Sequence, residues 1–357
     1  MIQSDEKNPT KSIKKVKTLV VSTLVTIVSL FAIGYATTTL LPTDAPVEQL
    51  MEIWGRGRPL ELIAGILIMS AGMVFIGLRW RSLMPGGERV PAAGISGIVC
   101  AGLLLNQALP GPVGELAAAM MVKARYGIKT TVALAANIHA RFIGLAMVGF
   151  LAGSVWTMST LPVPPEHQNK LEIATLLITI GAIILTIISV FPKIVQGISK
   201  VTFGALGARE WRISGILSRI DKAFQEVASG LQVVGSLGYR AYLKAAFFAL
   251  LAHLCVAAGI LIGAHALGLN PYPPGILFTY CAATAAVVAL IAFPGSQVGW
   301  DALLLAFLTT TSGLSIIEGF ALVVLIRVQQ LLLLFVGGAA LFVHSRADNK
   351  DSPKSSS

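Results

Sequence analysis

Residues 108–116 read ALPGPVGEL and close a strongly apolar run. Two prolines, two glycines and a glutamate make this the poorest helix-forming cluster in the first third of the chain. A second stretch, AFPGSQVGWDAL at 292–303, repeats the order of a Pro-Gly break followed by an acid. Around both breaks the chain consists of long apolar runs: 18–40, 62–78, 132–155, 173–190, 245–262 and 316–343. Each but the slightly short second run is long enough to cross a hydrocarbon layer about 30 Å thick as a helix of about 20 residues. Only 12% of the 357 residues are charged and 55% are hydrophobic, whereas soluble domains are about a quarter charged. The composition therefore predicts an all-α polytopic membrane protein. No ten-residue alternation of the kind a membrane barrel needs is visible.

The basic stretch KNPTKSIKKVK precedes the first apolar run of 23 residues. That run is too long for the core of a signal peptide, so the reading is an uncleaved first helix. Cys100, Cys255 and Cys281 sit in apolar segments without metal-like spacing and read as small buried hydrophobes. Neither a metal nor a cofactor is expected.

Orientation follows from lysine and arginine. With the N-terminus in the cytoplasm and each Pro-Gly region returning to the side it left, the cytoplasmic segments hold 22 of the 27 basic residues. Arg56, Arg58 and Lys170 fall outside, and Arg141 and Arg327 fall within the membrane. This positive-inside bias places both termini in the cytoplasm; a bacterial plasma (inner) membrane is the expected location. It also accounts for the net charge of +10 without nucleic acid, for which no module is present. The expected organisation is a basic N-terminus at 1–17, one transmembrane domain at 18–343 and a disordered cytoplasmic tail at 344–357. Within the domain, a cytoplasmic connection at about 193–239 carries an apolar stripe between Ile213 and Val234 at three- and four-residue steps. It suits an interfacial helix on anionic headgroups or a linker helix packed on the bundle, and both readings stay open.

The two breaks belong to a longer repeat. The first series runs Pro110, Gly111, Gly114, Glu115, Gly127, Arg141; the second runs Pro294, Gly295, Gly299, Asp301, Gly313, Arg327. Glycine to arginine is 14 residues in both, and proline to arginine is 31 and 33. This order predicts an internal duplication. Repeat one (about 62–155) is a helix at 62–80, a hairpin of 91–109 with 113–122, and a helix at 131–155. Repeat two (about 241–342) is a helix at 241–266, a hairpin of 275–293 with 297–309, and a helix at 316–342. An odd number of crossings separates matching elements, so the repeats have inverted topology. Inverted repeats with broken helices are a transporter arrangement with its site near the midplane. Full crossings in place of re-entrant hairpins would leave that inversion unchanged.

A ten-residue helix from Val113 to Val122 spans about 15 Å, and Arg141 lies about 16 Å into its helix. Glu115, Asp301, Arg141 and Arg327 are therefore expected in one layer. Two acids and two arginines balance there, and two roles are open. They form buried ion pairs that hold the repeats together, or the arginines and the half-helix N–H groups bind a phosphate or carboxylate. Asn106, Asn137, Gln297 and Gln330 are the supporting polar candidates, with Gln107, His139 and Gln329 nearby. Each alone is more often a helix-to-helix hydrogen bond than a ligand contact. His253, inside an apolar helix, reads as a satisfied core histidine.

Four segments, NQALPGPVGE at 106–115, ARYGIKTTVALAANIHAR at 124–141, FPGSQVGWDA at 293–302 and GLSIIEGFALVVLIR at 313–327, resemble the membrane region of the lysylphosphatidylglycerol synthases, also called the flippase-like domain family. The resemblance spans roughly 17–343. It implies a polytopic protein with re-entrant helices that moves lipids such as aminoacylated phosphatidylglycerol or glycan- and hopanoid-linked lipids. The sequence departs from the family pattern at Ala118, where an arginine is common, at Gly144, where an aspartate is common, and at Asp301, where glutamate is usual and Gly299 is displaced by one. The soluble aminoacyl-transfer domain of full synthases is not expected after the last helix. The leading expectation is thus a carrier for a lipid with a charged, phosphate-bearing headgroup. The alternative is a non-transporting scaffold for lipid or envelope biosynthetic enzymes. A lipid-phosphate-modifying enzyme fits less well, because the deep acids Glu115 and Asp301 form no metal-binding or nucleophilic cluster.

Overall fold

The computed structural model describes residues 47–108, 113–190, 233–288 and 296–350. Among these the chain is helical throughout and contains no strand. The helices are α1 (Val47–Gly55), α2 (Pro59–Ser82), α3 (Ala92–Ala108), α4 (Val113–Tyr126), α5 (Thr130–Met158), α6 (Pro165–Val190), α7 (Tyr239–Ala266), α8 (Pro273–Val288), α9 (Ser296–Thr311) and α10 (Ile316–Lys350). Five of them, α2, α5, α6, α7 and α10, are long and apolar enough to cross a membrane. They coincide with five of the six apolar runs; the first run, the basic N-terminus and most of the connection at 193–239 lie outside the described residues.

Three boundaries differ from the sequence reading. The α4 helix continues four residues past Val122, through Lys123 and Arg125 to Tyr126. These two basic residues suit its last turn, where the helix dipole favours cations. The last helix runs to Lys350, so residues 344–350 are helical where a disordered tail is expected. The short helix α1 has no counterpart in the sequence reading, and it packs Leu50, Ile53 and Trp54 toward the core formed by α7–α10.

The α2 and α7 helices run antiparallel and share the most extensive helix–helix contact among the described residues. Arg58 N–H at the start of α2 donates to the Ala266 carbonyl at the end of α7 at 2.9 Å. Further along, a Cβ on Gly65 would sit 2.9 Å from the Gly259 carbonyl, and one on Gly72 would sit 3.2 Å from the Ala252 carbonyl. The two backbones touch because neither seam position carries a side chain, which is how helices gain contact where lipid removes the hydrophobic drive between them.

Around this pair the packing is reciprocal. The α3–α4 hairpin lies against α10, and the α8–α9 hairpin lies against α5. One core gathers Trp80, Leu83, Ile95, Ala119, Ala136 and Ala245; a second gathers Ile260, Leu267, Ile276, Leu304, Leu322 and Leu325. A smaller one, with Val148, Ala152, Phe278 and Cys281, joins α5 to α8. The outer faces are apolar, as with Ile173, Leu177, Ile180 and Ile184 on α6 and Leu332, Phe335 and Val336 on α10. Such continuous exposed apolar faces belong against lipid.

The turns recur as well. Gly127 before α5 has φ +71° and Gly313 before α10 has φ +72°. These left-handed positions favour glycine for want of a Cβ, and they are the two glycines the sequence places 14 residues before an arginine. Gly86 between α2 and α3 and Gly268 between α7 and α8 also have positive φ, at 74° and 75°.

Candidate functional site

The structure joins each acid of the sequence series to its arginine. Glu115, in the first turn of α4, is ion-paired with Arg141 of α5. Asp301, in the second turn of α9, is ion-paired with Arg327 of α10. Both partners are separated by 26 residues, a spacing more regular than the proline-to-arginine one and readable from sequence alone.

Around the first pair, Asn106 does two jobs. Its Oδ1 accepts from the Gly114 backbone N–H at 2.7 Å, and its Nδ2 donates to Glu115 Oε1 at 2.8 Å. A helix start leaves its first N–H groups without intrahelical partners, and here a side chain from the other arm of the hairpin supplies one acceptor. The same amide fixes the carboxylate that Arg141 Nη2 grips. Asn137, half-buried a turn before Arg141, lies outside this network.

The second pair is tighter. Arg327 donates from Nε to Asp301 Oδ2 at 2.9 Å and from Nη2 to the same oxygen, while its Nη1 donates to Gln330 Oε1. Gln330 is three residues on, hence on the same helix face. Asp301 Oδ1 is buried without a hydrogen-bond partner among the described residues. Gln329 Nε2 donates to Ser70 Oγ at 3.3 Å and ties α10 to α2. At the start of α10, Ser315 and Glu318 form a reciprocal capping box, with the Ser315 N–H donating to Glu318 Oε2 at 2.8 Å.

The two pairs differ in exposure. The Arg141 and Glu115 side chains are 43% and 12% exposed, against 14% and 8% for Arg327 and Asp301. Arg141 is thus half-exposed, whereas Arg327 is held among its partners.

Of the structural breaks, Gly114 and Gly299 lie in α4 and α9, whereas Pro110, Gly111, Pro294 and Gly295 lie outside the described residues, as does the side chain of Gln297. His253 has both ring nitrogens engaged, Nδ1 with Tyr280 Oη at 3.0 Å and Nε2 with the Gly144 carbonyl at 3.1 Å, in keeping with a satisfied core residue.

One charged residue has a burial that sequence reasoning missed. Arg79, counted with the cytoplasmic basic residues, is 7% exposed. Its guanidinium lies against Gly144 of α5. A third arginine, belonging to neither pair, is thus buried in the helix packing. The signal that could have found it is the missing side chain at Gly144, three residues beyond Arg141 on the same helix face.

A family model described as the lysylphosphatidylglycerol synthase TM region matches residues 19–338. The chain belongs to this family. It is a multi-pass integral membrane protein, and the match covers both charge pairs and Arg79. No curated protein and no solved structure matches it.

Proposed function

We propose that this protein carries a lipid with a charged, phosphate-bearing headgroup across a bacterial plasma membrane, through a site between two inverted repeats. The observation that carries the reading is the pair of acid–arginine contacts, equally spaced at 26 residues and each made from the second arm of a hairpin to the helix that follows it. The reciprocal packing of α3 with α10 and α5 with α8, the antiparallel α2–α7 pair and the matching positive-φ turns all support an inverted duplication. The α4 and α9 helices, of 14 and 16 residues, are shorter than a full span, which supports re-entrant hairpins. Membership of the family points the same way.

In this reading the acids hold the arginines while the site is empty. A lipid phosphate then takes over the guanidinium fork, which binds two oxygens in parallel. Arg141, the more exposed partner, makes first contact. Both termini face the cytoplasm on this reading, and the protein acts as a carrier and not as an enzyme.

The test is headgroup-dependent lipid movement in proteoliposomes. Arg141→Ala and Arg327→Ala, each in protein that still elutes as a folded species, are expected to abolish it. Unchanged movement in both variants refutes the site.

A further inference from the structure

Arg79 belongs to neither charge pair. It lies in the last turn of α2, where an arginine of a membrane helix ordinarily snorkels to the headgroups. Here the residue is 7% exposed and points at α5 instead. A Cβ added to Gly144 would lie 2.8 Å from its Cζ and 3.2 Å from its Nη2. Its Nε has no hydrogen-bond partner, and no ion pair among the described residues includes Arg79.

The polar groups around it are engaged elsewhere. The Gly144 carbonyl accepts from His253 Nε2, so His253 Nδ1 is the acceptor for the Tyr280 hydroxyl. None of these groups is negative. A buried cation without an anion is costly, and this one is held over bare backbone with its fork toward α5. Arg141 sits one turn earlier on the same face of that helix. Arg141 has Glu115 as its carboxylate, whereas Arg79 has none among the described residues. The surplus positive charge and the planar donor fork suit a tetrahedral oxyanion.

We propose that Arg79, together with the half-exposed Arg141, forms a binding site for a phosphate group, reached past Arg141 and closed over Gly144 in this state. The proposal rests on the carrier reading only for the source of the phosphate, a lipid headgroup; free phosphate has the same chemistry.

The test uses the full chain in neutral detergent, melted while its tryptophan fluorescence is followed. One arm adds dihexanoyl-phosphatidylglycerol and the other adds inorganic phosphate. The expected result is a melting temperature that rises with the short-chain lipid in the native sequence. That rise should be lost in Arg79→Gln and in Gly144→Asp, whose carboxylate would occupy the guanidinium. It should survive in Arg56→Ala, which removes an exposed cation paired with Glu52. A structural role alone would shift the melting temperature without ligand and leave the ligand-dependent rise unchanged. An Arg79-dependent rise with inorganic phosphate alone also supports the site and assigns it to free phosphate. No rise with either probe, or one that both variants keep, overturns it. If Arg79→Gln does not fold, Gly144→Asp decides. Arg79-dependent binding without lipid movement upholds this site and refutes the carrier reading; lipid movement with Arg79-independent binding does the reverse.

Discussion

Removing Asp301 should cost far more stability than removing Glu115, although the two acids occupy matching places. Asp301→Ala strips its carboxylate from Arg327, whose side chain is 14% exposed and lies in a helix packed against α3, α2 and α9. Breaking a buried pair by deleting one partner typically costs about 3–5 kcal/mol, because the remaining charge stays uncompensated. At about 1.4 kcal/mol per decade, the unfolding equilibrium shifts by roughly two to three and a half decades. Glu115→Ala leaves Arg141 with a side chain 43% exposed. A partly exposed pair is worth about 0–1 kcal/mol, and the lost hydrogen bond from Asn106 adds about 1 kcal/mol. The expected gap between the variants is therefore about 1–4 kcal/mol. Unfolding by sodium dodecyl sulfate in mixed micelles, read by tryptophan fluorescence, measures both on one scale. The double variant Asp301→Ala/Arg327→Ala should recover most of the loss, since it removes the stranded charge. Equal losses in the two single variants, or a double variant no more stable than Asp301→Ala, would refute the reasoning from burial.

Three further outcomes follow from local geometry. Asn106→Leu should cost about 1–3 kcal/mol in the same titration, because it leaves the Gly114 N–H without its acceptor. Gly259→Leu drives a side chain into the α2 backbone and should abolish the monodisperse peak on size exclusion, whereas Gly181→Leu, with open space around it on α6, should keep that peak. Gly127→Ala and Gly313→Ala, at φ +71° and +72°, should each lose about 1–2 kcal/mol by detergent unfolding, and by similar amounts.

Much of this architecture was legible because lipid simplifies the code. A helix that spans hydrocarbon must be apolar over its whole length, so 132–155 and 245–262 announce themselves without periodicity. Glu115, Asp301, Arg141 and Arg327 were legible for the converse reason: a charge inside such a run needs a partner. Asn106 could be suspected from its place before the break, although its double role needs the distance to Gly114. The end of α4 was harder, since Lys123 and Arg125 look like a loop and serve equally as the last turn of a helix. The burial of Arg79 was missed because counting lysines and arginines treats any arginine near a helix end as a headgroup contact. Only the bare face at Gly144 tells that its side chain turns inward, and that depends on two helices distant in sequence.

The glycine seam between α2 and α7 also governs how the protein is made. Gly65 and Gly259 are nearly two hundred residues apart in the chain. At a synthesis rate of about 5–20 residues per second, roughly 10–40 seconds pass between their emergence. During that interval the Gly65 and Gly72 stretch of α2 has no α7 backbone to lie against, and neither α3 nor α5 has the later helix it packs on. The first half must therefore wait in the membrane with its small-residue face open to lipid, or shielded by the insertion machinery, until the second half arrives to close it. Whatever slows or truncates synthesis past α6 leaves behind an unpaired half for quality control to recognise.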